Sequence, residues 1–199
     1  MAVEAGIEMT TCRIHHEGGS SHLMTKRFDR SANGEKLHMQ SLGGIAHYDY
    51  RQPASYSYEQ AIQVIRRLGL PRKDMDQQVL RAIFNVVGRN CDDHVKNIAF
   101  LMNRGGEWRL SPAFDISYAW NPSGEWTSRH QMSVNGKRDG FEHEDLLALA
   151  KAADIKKARA EQMINRVIEA VRRWPDFAGE SGVDDAQVKK IQASQRTNL

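Results

Sequence analysis

The chain has 199 residues, of which 40% are hydrophobic and 27% are charged, and this is enough apolar side chain to bury the core of one domain. No apolar run is long enough to span a bilayer and no secretory pattern opens the chain, so we expect a cytoplasmic protein with no membrane partner. Two cysteines exclude a disulfide framework, and a net charge of +3 is too small to indicate a dedicated nucleic-acid binder.

The first third of the chain is predicted to contain a hairpin and little other regular structure. Residues 1–5 are predicted to form the last turn of a helix that Gly6 ends. Residues 10–15 and 22–27 are predicted strands on either side of a turn with two adjacent glycines. Residues 37–58 lack clean periodicity and predict loops around a short helix.

Residues 57–110 are predicted to form two helices followed by a second hairpin. Ser57 and Gln60 form a capping box at the start of a helix with one apolar face, which ends near Gly69. A second helix is predicted over 74–88, and residues 98–110 have the pattern of a hairpin.

The remainder is predicted to be a long loop, two helices and a polar tail. Residues 117–140 form the loop, and helices are predicted over 142–153 and 158–174, where Pro175 ends the second. After residue 179 we expect a frayed tail with a short helix over 184–192.

One polar segment is the main candidate for chemistry. Residues 90–97 place two carboxylates, an imidazole, an ammonium and two carboxamides between an apolar helix and an apolar strand. Alone, this segment fits a solvated loop as well as a functional one. Asp115 follows the second hairpin, where a lone Asp also caps turns.

The order of these polar residues has a meaning for phosphoryl transfer. In such sites one carboxylate orients the attacking hydroxyl, while an Asn oxygen and a second carboxylate hold Mg²⁺. Asp92, Asn97 five residues later, and Asp115 after a short hairpin have this order. The sequence therefore predicts that these three side chains converge on one magnesium-nucleotide site.

Four motifs, in their order along the chain, resemble the C-terminal part of HipA-like serine/threonine kinases, which are the toxins of bacterial toxin–antitoxin modules. The resemblance extends from Gly6 to about Trp174. The motifs are residues 27–30 (Arg-Phe-Asp-Arg), 36–42 (Lys-Leu-His-Met-Gln-Ser-Leu), 90–97 (Asn-Cys-Asp-Asp-His-Val-Lys-Asn) and 111–116 (Ser-Pro-Ala-Phe-Asp-Ile).

The resemblance implies an α+β fold, namely a mainly helical protein-kinase-like C-lobe with two β-hairpins and only the last part of the N-lobe. Residues 1–30 would be the remnant of the N-lobe and the hinge, residues 31–175 the C-lobe, and residues 176–199 a polar C-terminal tail. No residue matches the phosphate loop and strand lysine of such kinases. We therefore expect a chain truncated at its N-terminus, whose activity in isolation is doubtful.

The resemblance also implies roles in the polar segment, with ATP and Mg²⁺ as cofactors. Asp92 would be the catalytic base, and His94 and Lys96 would structure the loop and touch phosphate. Asn97 and Asp115 would be the magnesium ligands of the bound nucleotide.

The hinge strand is implied to bind the adenine of ATP through its backbone. Met24, Lys26 and Phe28 are the candidate nucleotide contacts there, with Phe28 or Met24 packing on the face of the base. Asp29 and Arg30 either approach the ribose or lock the turn.

The implied partners are a helix-turn-helix antitoxin or a separately encoded N-lobe, together with a protein substrate such as a translation component. The alternative is a non-catalytic C-lobe relic or half of a split kinase that acts as a protein-binding module. Trp120 and Trp126 fit an activation segment better than a stacking platform for nucleic acid, so direct nucleic-acid binding is not expected.

Overall fold

Seven helices and two small antiparallel sheets make up the chain in a computed structural model that describes residues 1–199. This mixed α/β architecture confirms the predicted fold class. The strands are β1 (Cys12–Glu17), β2 (Ser20–Thr25), β3 (His38–Ser41), β4 (Ala99–Met102) and β5 (Trp108–Leu110). The helices are α1 (Leu42–Ala46), α2 (Tyr58–Arg67), α3 (Arg72–Gly88), α4 (His143–Ala152), α5 (Lys157–Arg172), α6 (Trp174–Glu180) and α7 (Asp185–Ser194).

Strands β1 and β2 form the first predicted hairpin, with Cys12 opposite Thr25. The two-residue turn has φ of 57° at Gly18 and 79° at Gly19, the backbone that twisted hairpins favour and that glycine adopts without strain. Every residue of both strands is exposed, so neither face of this hairpin is covered by the rest of the chain.

The second sheet has the order β3-β4-β5 and therefore contains one strand more than the predicted hairpin. His38 lies opposite Met102, and Ser41 lies opposite Ala99. The strand β3 is short and shows no alternation of apolar and polar residues, so no local pattern predicts it. It forms because its backbone can hydrogen-bond to the free edge of β4, which lies some 60 residues later in the chain.

Helix α3 is the centre of the helical body, because it is buried over most of its length and packs against α2, α4 and α5. Its neighbour α2 begins with the predicted capping box: the Gln60 amide donates to Ser57 Oγ at 3.2 Å and the Ser57 amide donates to Gln60 Oε1 at 2.8 Å. None of the helices combines the length and the apolar character that a membrane crossing requires.

Two predicted helix ends differ from the structure. Residues 1–5 form turns and no helix, although Gly6 does have the expected positive φ, at 91°. Pro175 does not end α5 as the sequence predicts, but lies in the first turn of α6. Proline suits this position because its missing N–H would have no partner there.

The C-terminal tail is ordered against the body, in contrast to the frayed tail that the sequence predicts. The indole of Trp174 donates to the Val188 carbonyl at 3.1 Å, and Ile191 of α7 is buried. Beyond α7, the Arg196 amide donates to the Val87 carbonyl at 2.9 Å, so the tail caps the C-terminal end of α3.

Candidate functional site

The polar segment 90–97 begins where α3 ends. Arg89 takes a left-handed conformation with φ of 61° and turns the chain out of the helix. Asn90 is buried, and its amide nitrogen donates to Asn85 Oδ1 at 3.1 Å and to the Asp115 carbonyl at 3.2 Å. One side chain therefore ties the end of α3 to the turn that carries Asp115.

Asn97 and Asp115 line the same small cavity, of about 20 Å³, together with His94. The amide nitrogen of Asn97 donates to the Asp92 carbonyl at 2.9 Å, which fixes the carboxamide and leaves its oxygen without a partner in the chain. The Asp115 carboxylate is exposed and likewise takes part in no hydrogen bond or ion pair. Two oxygen ligands without hydrogen-bond partners at one cavity are suited to Mg²⁺, which prefers hard oxygen ligands.

The wall of this cavity contains an unusual concentration of unpaired polar groups. All but one of the buried side-chain atoms that lack a hydrogen-bond partner belong to four of its lining residues: Gln78, Arg81, Asn90 and His94. Buried polar groups are almost always hydrogen-bonded, so such a cluster favours a polar occupant, and a volume of about 20 Å³ is room for roughly one water molecule. The oxygens of Asn97 and Asp115 fit Mg²⁺ by their chemistry.

The two adjacent carboxylates of the segment have different surroundings. The side chain of Asp92 is 48% exposed and its nearest cationic candidate is His94 Nε2, at 3.9 Å. It lines a second, larger cavity of about 320 Å³. Asp93 is buried, and it accepts hydrogen bonds from the Tyr58 hydroxyl, from His130 Nδ1 and from the Gln131 amide, each at 2.8 Å. Asp92 is thus free for chemistry, whereas Asp93 holds the loop.

The bonds to Asp93 shift the pKa of both ring partners. Burial raises the pKa of the Tyr58 hydroxyl well above its ordinary value, and the Asp93 charge adds to this. Burial alone would lower the pKa of His130, but the charge of Asp93 and its hydrogen bond outweigh burial and raise that pKa to about 9. At neutral pH the His130–Asp93 contact is therefore a buried ion pair.

The structure turns Lys96 toward Tyr50. Its ammonium lies over the Tyr50 ring, 3.4 Å from the centroid, and the His94 ring meets the same tyrosine edge-on at 5.8 Å. Lys96 does not line the cavity that Asn97 and Asp115 share.

The residues predicted to form the hinge lie at different distances from the candidate site. The Phe28 ring packs against Phe114, with centroids 5.5 Å apart, and Phe114 directly precedes Asp115 and lines the same cavity. Met24 and Lys26 are exposed on and just after β2 and line neither of the two cavities. Of the candidate adenine contacts, the structure brings only Phe28 close to the Asp115 turn.

Asp29 locks the turn that follows β2. It is buried and accepts two bonds from Arg27, at 2.8 and 2.5 Å, and one from Arg30 at 2.5 Å. The hydrogen bonds from Arg27 lower the pKa of this carboxyl to about 2. Of the two roles left open by the sequence, these contacts favour the structural one.

Sequence reasoning missed the residues that support the loop from behind. Tyr58, Asn85, Asp93 and His130 form one hydrogen-bonded cluster, in which Asn85 Nδ2 donates to the Tyr58 hydroxyl at 2.9 Å. They come from α2, α3, the loop and the long segment before α4, so no local pattern joins them. The one sequence feature that could have pointed to this cluster is the pair of adjacent aspartates at 92 and 93.

No group of three His, Cys, Asp or Glu side chains is arranged to hold a metal by itself. An ion held by Asn97 and Asp115 would therefore complete its coordination with water and phosphate oxygens, as Mg²⁺ usually does.

Comparison with known proteins agrees with this architecture. A solved HipA chain from Shewanella oneidensis MR-1, in a complex with HipB and its operator DNA, superposes with a TM-score of 0.75 at 17% identity over 96% of this chain and 51% of that chain. The curated protein "Putative kinase Y4mE" of Sinorhizobium fredii is 24% identical over 125 residues, which are 58% of this chain and 30% of that protein. The chain thus spans about half or less of the length of these relatives.

The family model named HipA-like C-terminal domain matches residues 1–174, which is most of the chain. This match includes the Asp92 loop, the Asp115 turn and all the side chains that support them except the tail. The chain therefore belongs to the family of HipA-like C-terminal domains.

Proposed function

We propose that this chain is the magnesium- and ATP-binding C-lobe of a protein serine/threonine kinase from a bacterial toxin–antitoxin system. The observation that carries this proposal is the pair of oxygen ligands without hydrogen-bond partners, Asn97 Oδ1 and the Asp115 carboxylate, at one polar cavity. The half-exposed Asp92 lines a second cavity, and His94 lines both. Family membership and the fold of a HipA chain support it.

Each side chain has a defined task in this proposal. Asn97 and Asp115 would hold the magnesium ion, and Asp92 would accept the proton of the substrate hydroxyl. Magnesium-ATP, when bound, supplies the phosphoryl group and the positive charge that offsets the developing negative charge. Asp93, with its three buried donors, keeps the loop in place so that Asp92 and Asn97 stay at fixed separation.

The partners follow from the same proposal. The protein substrate would be a component of translation in the cytoplasm, and an antitoxin of the helix-turn-helix class would bind the kinase. Phosphoryl transfer would also need the phosphate-binding groups of an N-lobe, supplied by further residues of the same polypeptide or by a separate chain. Met24 and Lys26 would then reach the nucleotide from the hinge side.

Calorimetric titration with magnesium-ATP tests the proposal. Asp115→Asn should weaken binding on the order of tenfold or more, because it removes a charged metal ligand. Asp154→Asn is a matched control: Asp154 is exposed and has φ of 55°, close to the 56° of Asp115, so both substitutions put Asn in the same backbone conformation. Equal affinities of the two variants would contradict the assigned site.

The base role of Asp92 is separable from nucleotide binding. Asp92→Asn should leave magnesium-ATP affinity within about twofold, since this side chain is no proposed ligand, yet abolish transfer because an amide cannot accept the hydroxyl proton. Transfer is measured with radiolabelled ATP on the chain together with the N-lobe that completes it. Transfer by the Asp92→Asn variant at the wild-type rate would remove Asp92 from the mechanism.

A second candidate function is a protein-binding module that has no catalysis of its own. The uncovered hairpin favours it, because Ile14, Leu23 and Met24 expose large apolar side chains on its two strands. A chain that binds an N-lobe polypeptide but no magnesium-ATP, alone or in that complex, would have this function.

A further inference from the structure

A second cavity, separate from the metal-ligand cavity, adjoins Asp92. It measures about 320 Å³, equivalent to roughly ten water molecules at ~30 Å³ each, which is room for one large side chain. Tyr50 and Trp126 line it together with Asp92, His94 and Gln131. We call this space the aromatic cleft.

The two aromatic walls are exposed although large aromatic side chains usually bury most of their surface. Tyr50 is 42% exposed and Trp126 is 47% exposed. They lie far apart in sequence, on the loop before α2 and in the long segment before α4, and yet they face one cavity. Exposed aromatic rings that share a concave site are typical of surfaces that bind a partner.

Both walls are tied to the loop that carries Asp92. Lys96 lies over the Tyr50 ring and His94 meets its edge. On the other side, the Gln131 side chain donates to the Trp126 carbonyl, and the Gln131 amide donates to Asp93 at 2.8 Å. The cleft is therefore held in a fixed position relative to the proposed base.

The charges that line the cleft disfavour an anionic occupant. Arg51 lines it, but its guanidinium is already paired with Asp49 through bonds of 3.0 and 3.1 Å. Among the residues that line the cleft, Asp92 then carries the charge without a close partner, and it would repel a carboxylate or a phosphate placed there. An apolar or aromatic side chain is not repelled by Asp92 and can stack on the two rings.

We infer that the aromatic cleft is a specificity subsite of the kinase, which takes an aromatic or large aliphatic side chain next to the serine or threonine that is phosphorylated. The inference rests on the proposed function in one respect, that Asp92 faces the acceptor hydroxyl. The occupant is a segment of the protein substrate, and Tyr50 and Trp126 are the residues that select it.

Peptide binding in the absence of nucleotide tests the cleft directly. The probes are short, fluorescently labelled peptides with a central serine. They differ only in the residue next to that serine, which is Trp, Leu, Ala or Glu and is placed on its N-terminal side in one series and on its C-terminal side in another. Binding is measured by fluorescence anisotropy. Trp or Leu on one side should strengthen binding on the order of tenfold over Ala, and Glu should weaken it.

The variants assign that preference to the two rings. Tyr50→Ala and Trp126→Ala should each remove the preference for Trp over Ala, while Tyr50→Phe, which keeps the ring, should retain it. Leu23→Ala is the control, because Leu23 is the most exposed large apolar residue and lies on the hairpin outside the cleft. Thermal unfolding of each variant confirms that it is folded.

The outcomes separate this inference from the proposed function. Equal affinity for all peptides, no binding of any of them, or an unchanged preference in both alanine variants would overturn the subsite. Failure of magnesium-ATP binding with the Trp preference intact would count against the proposed kinase function and leave the peptide subsite standing.

Discussion

Asp92 and Asp93 are neighbours in the chain, yet substitution of each should change the stability of the fold by very different amounts. Asp93 is the shared acceptor of Tyr58, His130 and the Gln131 amide in a buried cluster. Asp93→Asn should therefore lower the free energy of unfolding by about 3 kcal/mol, because it leaves a buried imidazolium without its counter-ion. Asp92→Asn should change it by less than about 0.5 kcal/mol.

Urea denaturation of the two variants measures this difference. The half-exposed Asp92 controls for the chemical change, since both variants replace a carboxylate with an amide in the same loop. If Asp92→Asn were the more destabilising variant, Asp92 would be the carboxylate that holds the loop and Asp93 would not.

The His130–Asp93 pair should also make the free energy of unfolding depend on pH. The pKa of His130 is raised from 6.5 to about 9, so its stabilising contribution is fully present below pH 6.5 and is lost as the pH rises through about 9. Arg196, whose guanidinium is 3.2 Å from His130 Nε2, opposes protonation, but it has its own partner in Asp139.

The expected loss is on the order of 3 kcal/mol of unfolding free energy between about pH 6.5 and 9.5, relative to a His130→Gln variant. The glutamine does not titrate, so the difference between the two urea-denaturation profiles isolates this pair. Parallel profiles over this range would show that His130 is neutral in the folded protein.

At the scale of elements, the β1–β2 hairpin is the part of the fold with the least support. All its residues are exposed and a lone two-stranded hairpin is only marginally stable in water. We therefore expect its cross-strand bonded amides, such as those of His15 and His22, to exchange with deuterium orders of magnitude faster than the buried amides of α3.

Hydrogen exchange followed by mass spectrometry checks this expectation, with α3 as the internal reference. Binding of an N-lobe polypeptide should slow exchange in the hairpin and leave α3 unchanged. Protection of the hairpin at the level of α3 in the isolated chain would mean that the strands have support beyond their own pairing.

The contrast between the two sheets also shows how far sequence patterns lead. Both hairpins were predictable because their strands adjoin in the chain and glycines mark their turns. The strand β3 was not, because its partner β4 lies about 60 residues away and only the fold brings them together. The same limit applies to the site: the order of Asp92, Asn97 and Asp115 is visible in the sequence, whereas the His130 contact to Asp93 is a tertiary one.

At the scale of the whole molecule, the C-terminal tail connects parts that are distant in sequence. Ser194 Oγ donates to the Tyr118 hydroxyl at 3.1 Å, and its carbonyl accepts from Arg89 Nε at 2.9 Å. Arg196 donates to the Val86 carbonyl at 3.2 Å and pairs with Asp139. These contacts surround the C-terminal end of α3, where the Asp92 loop begins.

Removal of residues 195–199 should therefore weaken both the fold and the site. It takes away the Arg196 bonds to the end of α3 and to Asp139, and we expect a loss of about 1 to 3 kcal/mol in unfolding free energy by urea denaturation. Affinity for magnesium-ATP should fall as well, because Asn90 transmits the position of the α3 end to the Asp115 turn. Arg196→Met keeps the backbone bond to Val87 and removes the guanidinium, so it should cause a smaller loss of both quantities. If the shortened chain kept its wild-type stability and nucleotide affinity, the tail would pack on the helical body without supporting the candidate site.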